Sequence, residues 1–110
     1  MLPRQAYVVS TLQSCAAVCQ QIIEIVLPPS YSDLFSRANR LSEDCRDLCQ
    51  LTAAFVERES EHLPYLLREC AELCRTCADS HARLAPELAL FRASEQACRR
   101  AEDACRTAYH

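Results

Sequence analysis

The chain has 110 residues, of which 50% are hydrophobic and 25% are charged, and its net charge is −3. This length supports one domain with one modest core and is too short for two. The twelve basic residues are all arginines interleaved with acids, with no basic stripe, so the pattern argues against nucleic-acid binding. We expect residues 1–110 to form a single domain.

The sequence contains no glycine, although a β-rich fold of this size needs several turn positions with positive φ that glycine fills most easily. Five prolines divide the chain into four long stretches without proline. The predicted fold class is therefore all-α, an antiparallel up-down-up-down four-helix bundle with short connections.

The first predicted helix runs from about residue 4 to Leu27 and is ended by Pro28 and Pro29. The second begins after a cap at Ser30 or Ser32 and continues to about residue 59.

The third predicted helix has Pro64 in its first turn and reaches about Leu84. Pro86 and Glu87 are predicted to open the fourth helix, which runs to the C-terminus.

Nine cysteines are the unusual feature of the composition. Their odd number, and an N-terminal segment unlike a secretory signal, argue against a disulfide framework. The apolar run from Val18 to Leu27 is interrupted by polar residues and is too short to span a bilayer. We expect a cytoplasmic protein with reduced thiols and no membrane partner.

The cysteines follow helical spacing on the faces predicted to point inward. The third helix carries Cys70, Cys74, Cys77 and His81 at steps of 4, 3 and 4. The other inward stripes are Val8, Cys15, Cys19, Ile22 and Val26; Leu34, Ala38, Leu41, Cys45, Cys49, Thr52 and Val56; and Phe91, Ser94, Cys98, Ala101, Cys105 and Ala108. All nine thiols are therefore expected in the core.

The rise per residue of a helix, about 1.5 Å, predicts the height of each thiol along the bundle. Five thiols are expected in one middle layer: Cys15, Cys45, Cys70, Cys74 and Cys98. Cys19 and Cys77 are expected nearer the end with the first and third connections, and Cys49 and Cys105 nearer the chain termini.

Thiolates one helical turn apart suit Cu(I), a soft ion that prefers sulfur ligands. Cys15/Cys19, Cys45/Cys49 and Cys70/Cys74 are CxxxC pairs, and Cys74/Cys77 is a CxxC pair. Zinc, which prefers four tetrahedral ligands at recognisable spacings, is a weaker candidate that stays open. Disulfides within one helix and iron–sulfur clusters fit the spacing less well.

Three segments, SEDCRDLCQLTAAFVERES, RECAELCRTCADSHARL and EQACRRAEDACR, resemble helices of the bacterial, cytosolic copper storage proteins. The resemblance covers nearly the whole chain and is strongest from Leu41 to His81. It implies a bundle, often tetrameric, that stores several Cu(I) ions on inward cysteines without catalytic turnover. Family members carry more thiols, whereas His81, Ser94 and Ala101 occupy positions that are commonly cysteine in the family.

The expected metal ligands are Cys15, Cys19, Cys45, Cys49, Cys70, Cys74, Cys77, His81, Cys98 and Cys105. His81 has two open interpretations, a ligand or entry group and a partly exposed histidine at a helix C-terminus.

No phosphate loop, di-iron motif or nucleophile motif is present, so we expect no enzyme. The alternative function is a helical interaction protein, or a redox-responsive protein with a low-pKa exposed thiol, that binds no physiological copper. If the protein does bind copper, we expect the ions to come from cellular thiols or a copper chaperone.

Overall fold

The structure is a computed structural model that describes residues 1–25, 32–86 and 88–107. It contains four α-helices in the described residues: α1 (Pro3–Ile23), α2 (Ser32–Glu57), α3 (Leu63–Ala82) and α4 (Ala89–Thr107). Helices α1 and α3 each pack against both α2 and α4, which places the four helices at the corners of a square. The bundle measures 45 × 19 × 19 Å, and the predicted four-helix bundle is confirmed.

The helices begin and end without glycine, which the sequence lacks. Pro3 occupies the first turn of α1, and the backbone N–H of Leu2 donates to Oε1 of Gln5 at 2.9 Å. After α2 the chain takes φ 53° at Glu59, and the N–H of Ser60 donates to the carbonyl of Phe55 at 3.0 Å. This is the C-terminal geometry in which glycine is usual.

Two predicted helix boundaries are wrong. Helix α1 ends at Ile23 rather than near residue 27, because the N–H of Ile25 bonds the carbonyl of Ile22 at 3.1 Å in a tighter turn. Helix α4 begins at Ala89, and Pro86 lies in the preceding turn. The expectations placed on Val26, Leu27, Pro28, Pro29, Ser30, Glu87 and Ala108 lie outside the described residues.

Two buried clusters divide the core along its length. The larger contains all nine cysteines together with Val8, Leu12 and Val56. The smaller closes the end where α1 and α3 finish and is made by Ile22, Ala38, Leu84, Ala85 and Phe91. The thiol-rich region is therefore enclosed by apolar side chains.

Helix α1 is the one described helix whose length and mean hydropathy, 1.2 over 18 residues, would allow it to cross a membrane. The core helix of a soluble protein passes the same test. In the bundle, the face of α1 from Val8 to Ile22 is buried against its neighbours, and 39% of the apolar window is buried.

Candidate metal centre

The nine thiols are all free, and they are buried along the inner faces of the four helices. Eight of them have no exposed surface: Cys15, Cys19, Cys45, Cys49, Cys70, Cys74, Cys77 and Cys98. Cys105 is 6% exposed. The structure therefore places all nine cysteines on the core side, as the helical spacing predicts.

Cys45 lies at the centre of the thiol column. Its Sγ is 3.8 Å from that of Cys15, 3.9 Å from that of Cys49 and 3.7 Å from that of Cys74. The column continues from Cys15 to Cys98 at 3.7 Å. Side chains from all four helices thus meet at contact distance.

Three groups of side chains in the described residues could each hold a metal ion, with ligand atoms within 4.8 Å of one another. They are Cys15–Cys45–Cys49–Cys74, Cys15–Cys19–Cys45–Cys98 and Cys77–His81–Cys98. Sulfurs bound to one tetrahedral ion at about 2.3 Å lie roughly 3.8 Å apart, so the observed contacts need little rearrangement. Cys15, Cys45 and Cys98 each belong to two groups, which makes the three groups one continuous set.

The single middle layer expected from helix heights is only partly correct. Cys98 shares a group with Cys15 and Cys45, as expected, but Cys49 joins Cys15, Cys45 and Cys74, and Cys70 belongs to none of the three groups. The two members of the CxxC pair also separate: Cys74 belongs to one group and Cys77 to another. Helix crossing shifts each axis slightly against its neighbours, and heights counted along straight parallel helices miss that shift.

Cys70 lies outside the three groups, on the side of the chain termini. Its Sγ is 3.8 Å from that of Cys49 and 4.0 Å from that of Cys74. The neighbouring Cys105 thiol lowers the pKa of Cys70, and the pKa of Cys105 is raised by Cys70 and by burial. Thr52 is fully buried near Cys70, and its hydroxyl has no hydrogen-bond partner in the described residues.

His81 is fully buried, so the interpretation of a partly exposed histidine is wrong. Its Nδ1 lies 2.7 Å from Oγ of Ser94, whose hydroxyl also lies 3.0 Å from the carbonyl of Phe91. If Ser94 donates to that carbonyl, its oxygen accepts a hydrogen bond from Nδ1–H, and in this neutral tautomer the lone pair is on Nε2, where it accepts from the hydroxyl of Ser42. This Nε2 lies 3.5 Å from Sγ of Cys77, as a metal ligand would.

Ser42 is a residue of this site that sequence analysis missed. Its Oγ lies 2.8 Å from Nε2 of His81, and its side chain is fully buried. The predicted stripe of α2 contained Leu41, which is only partly buried. Ser42 stands four residues after Ala38 and three before Cys45, so the signal was a polar residue at inward spacing.

The chemistry of the cluster follows from how neighbouring thiols share protons. The hydrogen bond from Cys15 is the main reason that the pKa of Cys45 lies below its ordinary 9.0. The pKa of Cys98 is raised well above 9.0, first by its hydrogen bond to Cys15 and also by burial. Burial also lowers the pKa of His81 below 6.5 and favours the neutral ring. Thiolate and neutral imidazole are the forms that bind metals.

The comparisons with known proteins agree with this geometry. Among solved structures, the chain is similar to the copper storage protein of Streptomyces lividans loaded with 10 copper equivalents, with a TM-score of 0.88 and 29% identity over 96% of this chain and 83% of that one. The cytosolic copper storage protein of the same organism, loaded with five coppers, gives the same score and identity over 96% of this chain and 91% of that one. A histidine-to-alanine variant is 30% identical, with a TM-score of 0.86 and coverage of 94% and 89%.

Among curated proteins, no match to this sequence was found. The match to the family itself extends over residues 3–110, which includes all four helices and every cysteine. With a buried thiol column and copper-loaded structural relatives, this match shows that the chain belongs to the copper storage protein family.

Proposed function

We propose that this protein stores copper in the cytoplasm as Cu(I), bound by thiolates inside one bundle domain of residues 1–110, without catalytic turnover. The observation that carries the proposal is the overlap of the three ligand groups through Cys15, Cys45 and Cys98. The proposed ligands are Cys15, Cys19, Cys45, Cys49, Cys70, Cys74, Cys77, His81, Cys98 and Cys105.

Shared ligands favour Cu(I) over zinc. A zinc site of the structural type is closed by four ligands of its own, and the second thiol group would compete with the first for Cys15 and Cys45. Cu(I) is soft and accepts few ligands, so bridging thiolates allow several ions to occupy the same column. The copper-loaded relatives support the same choice.

Burial weakens the alternative of a redox-responsive protein. A redox sensor needs a solvent-accessible thiol of low pKa. Here eight thiols have no exposed surface, and the pKa of the most exposed one, Cys105, is raised by the neighbouring Cys70 thiol and by burial. We further propose that the bundles associate as tetramers and exchange copper with cellular thiols or a copper chaperone.

Copper K-edge X-ray absorption on the anaerobically loaded protein tests the proposal. We expect the edge of Cu(I) and a ligand shell dominated by sulfur, with a minor nitrogen contribution from His81. Loading with zinc under the same conditions is the matched control, and zinc should be displaced when copper is added. A Cu(II) edge, an oxygen-rich shell or retention of zinc against copper would contradict the proposal.

A further inference from the structure

Apolar side chains of the described residues cover the end of the thiol column at His81. His81 has no exposed surface, and the ring of Phe91 packs edge-on against it with centroids 5.6 Å apart. Ile22 and Leu84 belong to the same apolar cluster and close the bundle above the histidine. An ion arriving at this end meets packed hydrocarbon rather than a ligand.

The other end has an opening at the side of the bundle. A concave pocket of about 420 Å³ lies between the start of α3 and the end of α4. Its wall contains Leu67 and Ala71 from α3 and Cys105 from α4. Cys105 is the most exposed of the nine thiols and the one that lines this pocket, although 94% of its surface is covered.

Two arginines line this pocket, Arg68 and Arg106, and they differ in their salt bridges to described residues. Arg106 is paired with Glu72 at 2.8 Å and with Glu102 at 2.9 Å. Arg68 is exposed and forms no salt bridge with any described residue. The pocket is therefore lined by apolar side chains, by the thiol of Cys105 and by the guanidinium of Arg68, which has no salt-bridge partner in the described part of the chain.

We propose that this pocket receives Cu(I) from a small anionic thiol, whose carboxylates are attracted to Arg68 and whose metal passes to Cys105 and Cys70. The cavity has the size of a small-molecule site, and guanidinium groups recognise carboxylates. We call this pocket the portal. The proposal rests on the proposed storage function and adds the route by which copper enters the bundle and the chemical class of the carrier that delivers it.

The transfer is a ligand exchange without oxidation or reduction. A carrier complex with two thiolates on Cu(I) gives both up in turn to Cys105 and Cys70, forming two new Cu–S bonds as two old ones break. The protons of the two cysteine thiols leave on the departing carrier thiolates, and copper stays Cu(I). From Cys70 the ion can step to Cys49, whose sulfur is 3.8 Å away, and then to Cys74 at 3.7 Å.

The experiment measures anaerobic transfer from the Cu(I)–glutathione complex, with protein-bound copper determined after rapid desalting at timed intervals. Cys105→Ser should slow the first transfer about tenfold, since it removes the receiving thiolate. Ala97→Ser is the matched control, because it places the same hydroxyl at a buried position of the same helix that is neither a proposed ligand nor part of the pocket wall. It should change neither the final copper number nor the initial rate.

Charge reversal tests the carrier. Arg68→Glu should slow transfer from the glutathione complex roughly threefold at low salt, with little effect on the Cu(I) complex of 2-mercaptoethanol, which lacks carboxylates. Arg92→Glu makes the same change in net charge at an exposed position of α4 outside the pocket and should change neither rate.

The outcomes separate the portal from the storage function. If the unaltered protein takes up no copper at equilibrium, both proposals fall. If it loads fully while Cys105→Ser and Arg68→Glu load as fast as their controls, storage stands and the portal is refuted. If only the arginine effect is missing, anionic-thiol recognition is refuted.

Discussion

The overlap of the ligand groups predicts that copper capacity depends on which thiols are removed and not only on how many. The variant Cys15→Ser/Cys45→Ser removes two sulfurs from each of the two four-thiol groups. The matched variant Cys70→Ser/Cys105→Ser also removes two sulfurs, both outside the three groups.

The expected difference in copper number between the two variants follows from which sulfurs remain in contact. The first variant leaves the first group with Cys49 and Cys74, whose sulfurs are 3.7 Å apart, and the second with Cys19 and Cys98. If each Cu(I) takes two thiolates and Cys15 and Cys45 each bridge two ions, the six thiols of the two groups hold about four ions. The variant keeps one thiolate pair in each group, about two ions in all, so the loss is about two ions. The matched variant loses one thiolate pair and therefore about one ion.

The assay is an anaerobic Cu(I) titration of each reduced variant against a chromophoric chelator. Circular dichroism of the apo-proteins must first show equal helicity, because each buried hydroxyl without a partner costs about 1–3 kcal/mol. Equal losses for the two variants would refute the grouping, and no loss for the first would remove Cys15 and Cys45 from the ligand set.

Three further predictions concern the end of the column at His81. Ser94→Ala removes the hydroxyl that lies 2.7 Å from Nδ1 of His81, and it should weaken the binding of the most labile copper ion roughly tenfold in chelator competition while leaving the copper number unchanged; equal affinities would show that Ser94 does not position the ring. Because burial lowers the pKa of His81, the folded apo-protein binds fewer protons than the unfolded chain, so its stability should fall as the pH drops below 6.5, by at most about 1.4 kcal/mol per pH unit from this group. Urea unfolding at pH 7 and pH 5.5 measures this loss, and His81→Gln should show less of it; an identical pH dependence would contradict the assignment. Phe91→Ala should destabilise the apo-protein by about 3–5 kcal/mol in the same assay, whereas a cost below about 1 kcal/mol would mean that this end is not closely packed.

Much of the fold could be predicted because two strong local signals agreed. The absence of glycine and the spacing of prolines limited the chain to four helices, and the spacing of the cysteines gave the inward faces. Burial of all nine thiols follows from that spacing alone, since residues three or four apart share a helix face.

The details that sequence could not supply depend on contacts between helices. The grouping of Cys49 with Cys15, Cys45 and Cys74, and the position of Cys70 outside the groups, depend on contacts between helices that no local pattern encodes. The burial of His81 depends on Phe91, which packs across from another helix. The pocket beside Cys105 is likewise lined by residues of both α3 and α4, so it appears in no single helical stripe.

The most direct test of copper storage is an anaerobic Cu(I) titration of the fully reduced protein against a competing chromophoric chelator, with reactive thiols counted in parallel. We expect several equivalents of copper per chain to be withheld from the chelator, about four with two thiolates per ion and more with bridging, and the nine thiols to become unreactive as loading proceeds. Failure to compete with the chelator, with all nine thiols still countable after unfolding, would contradict the account.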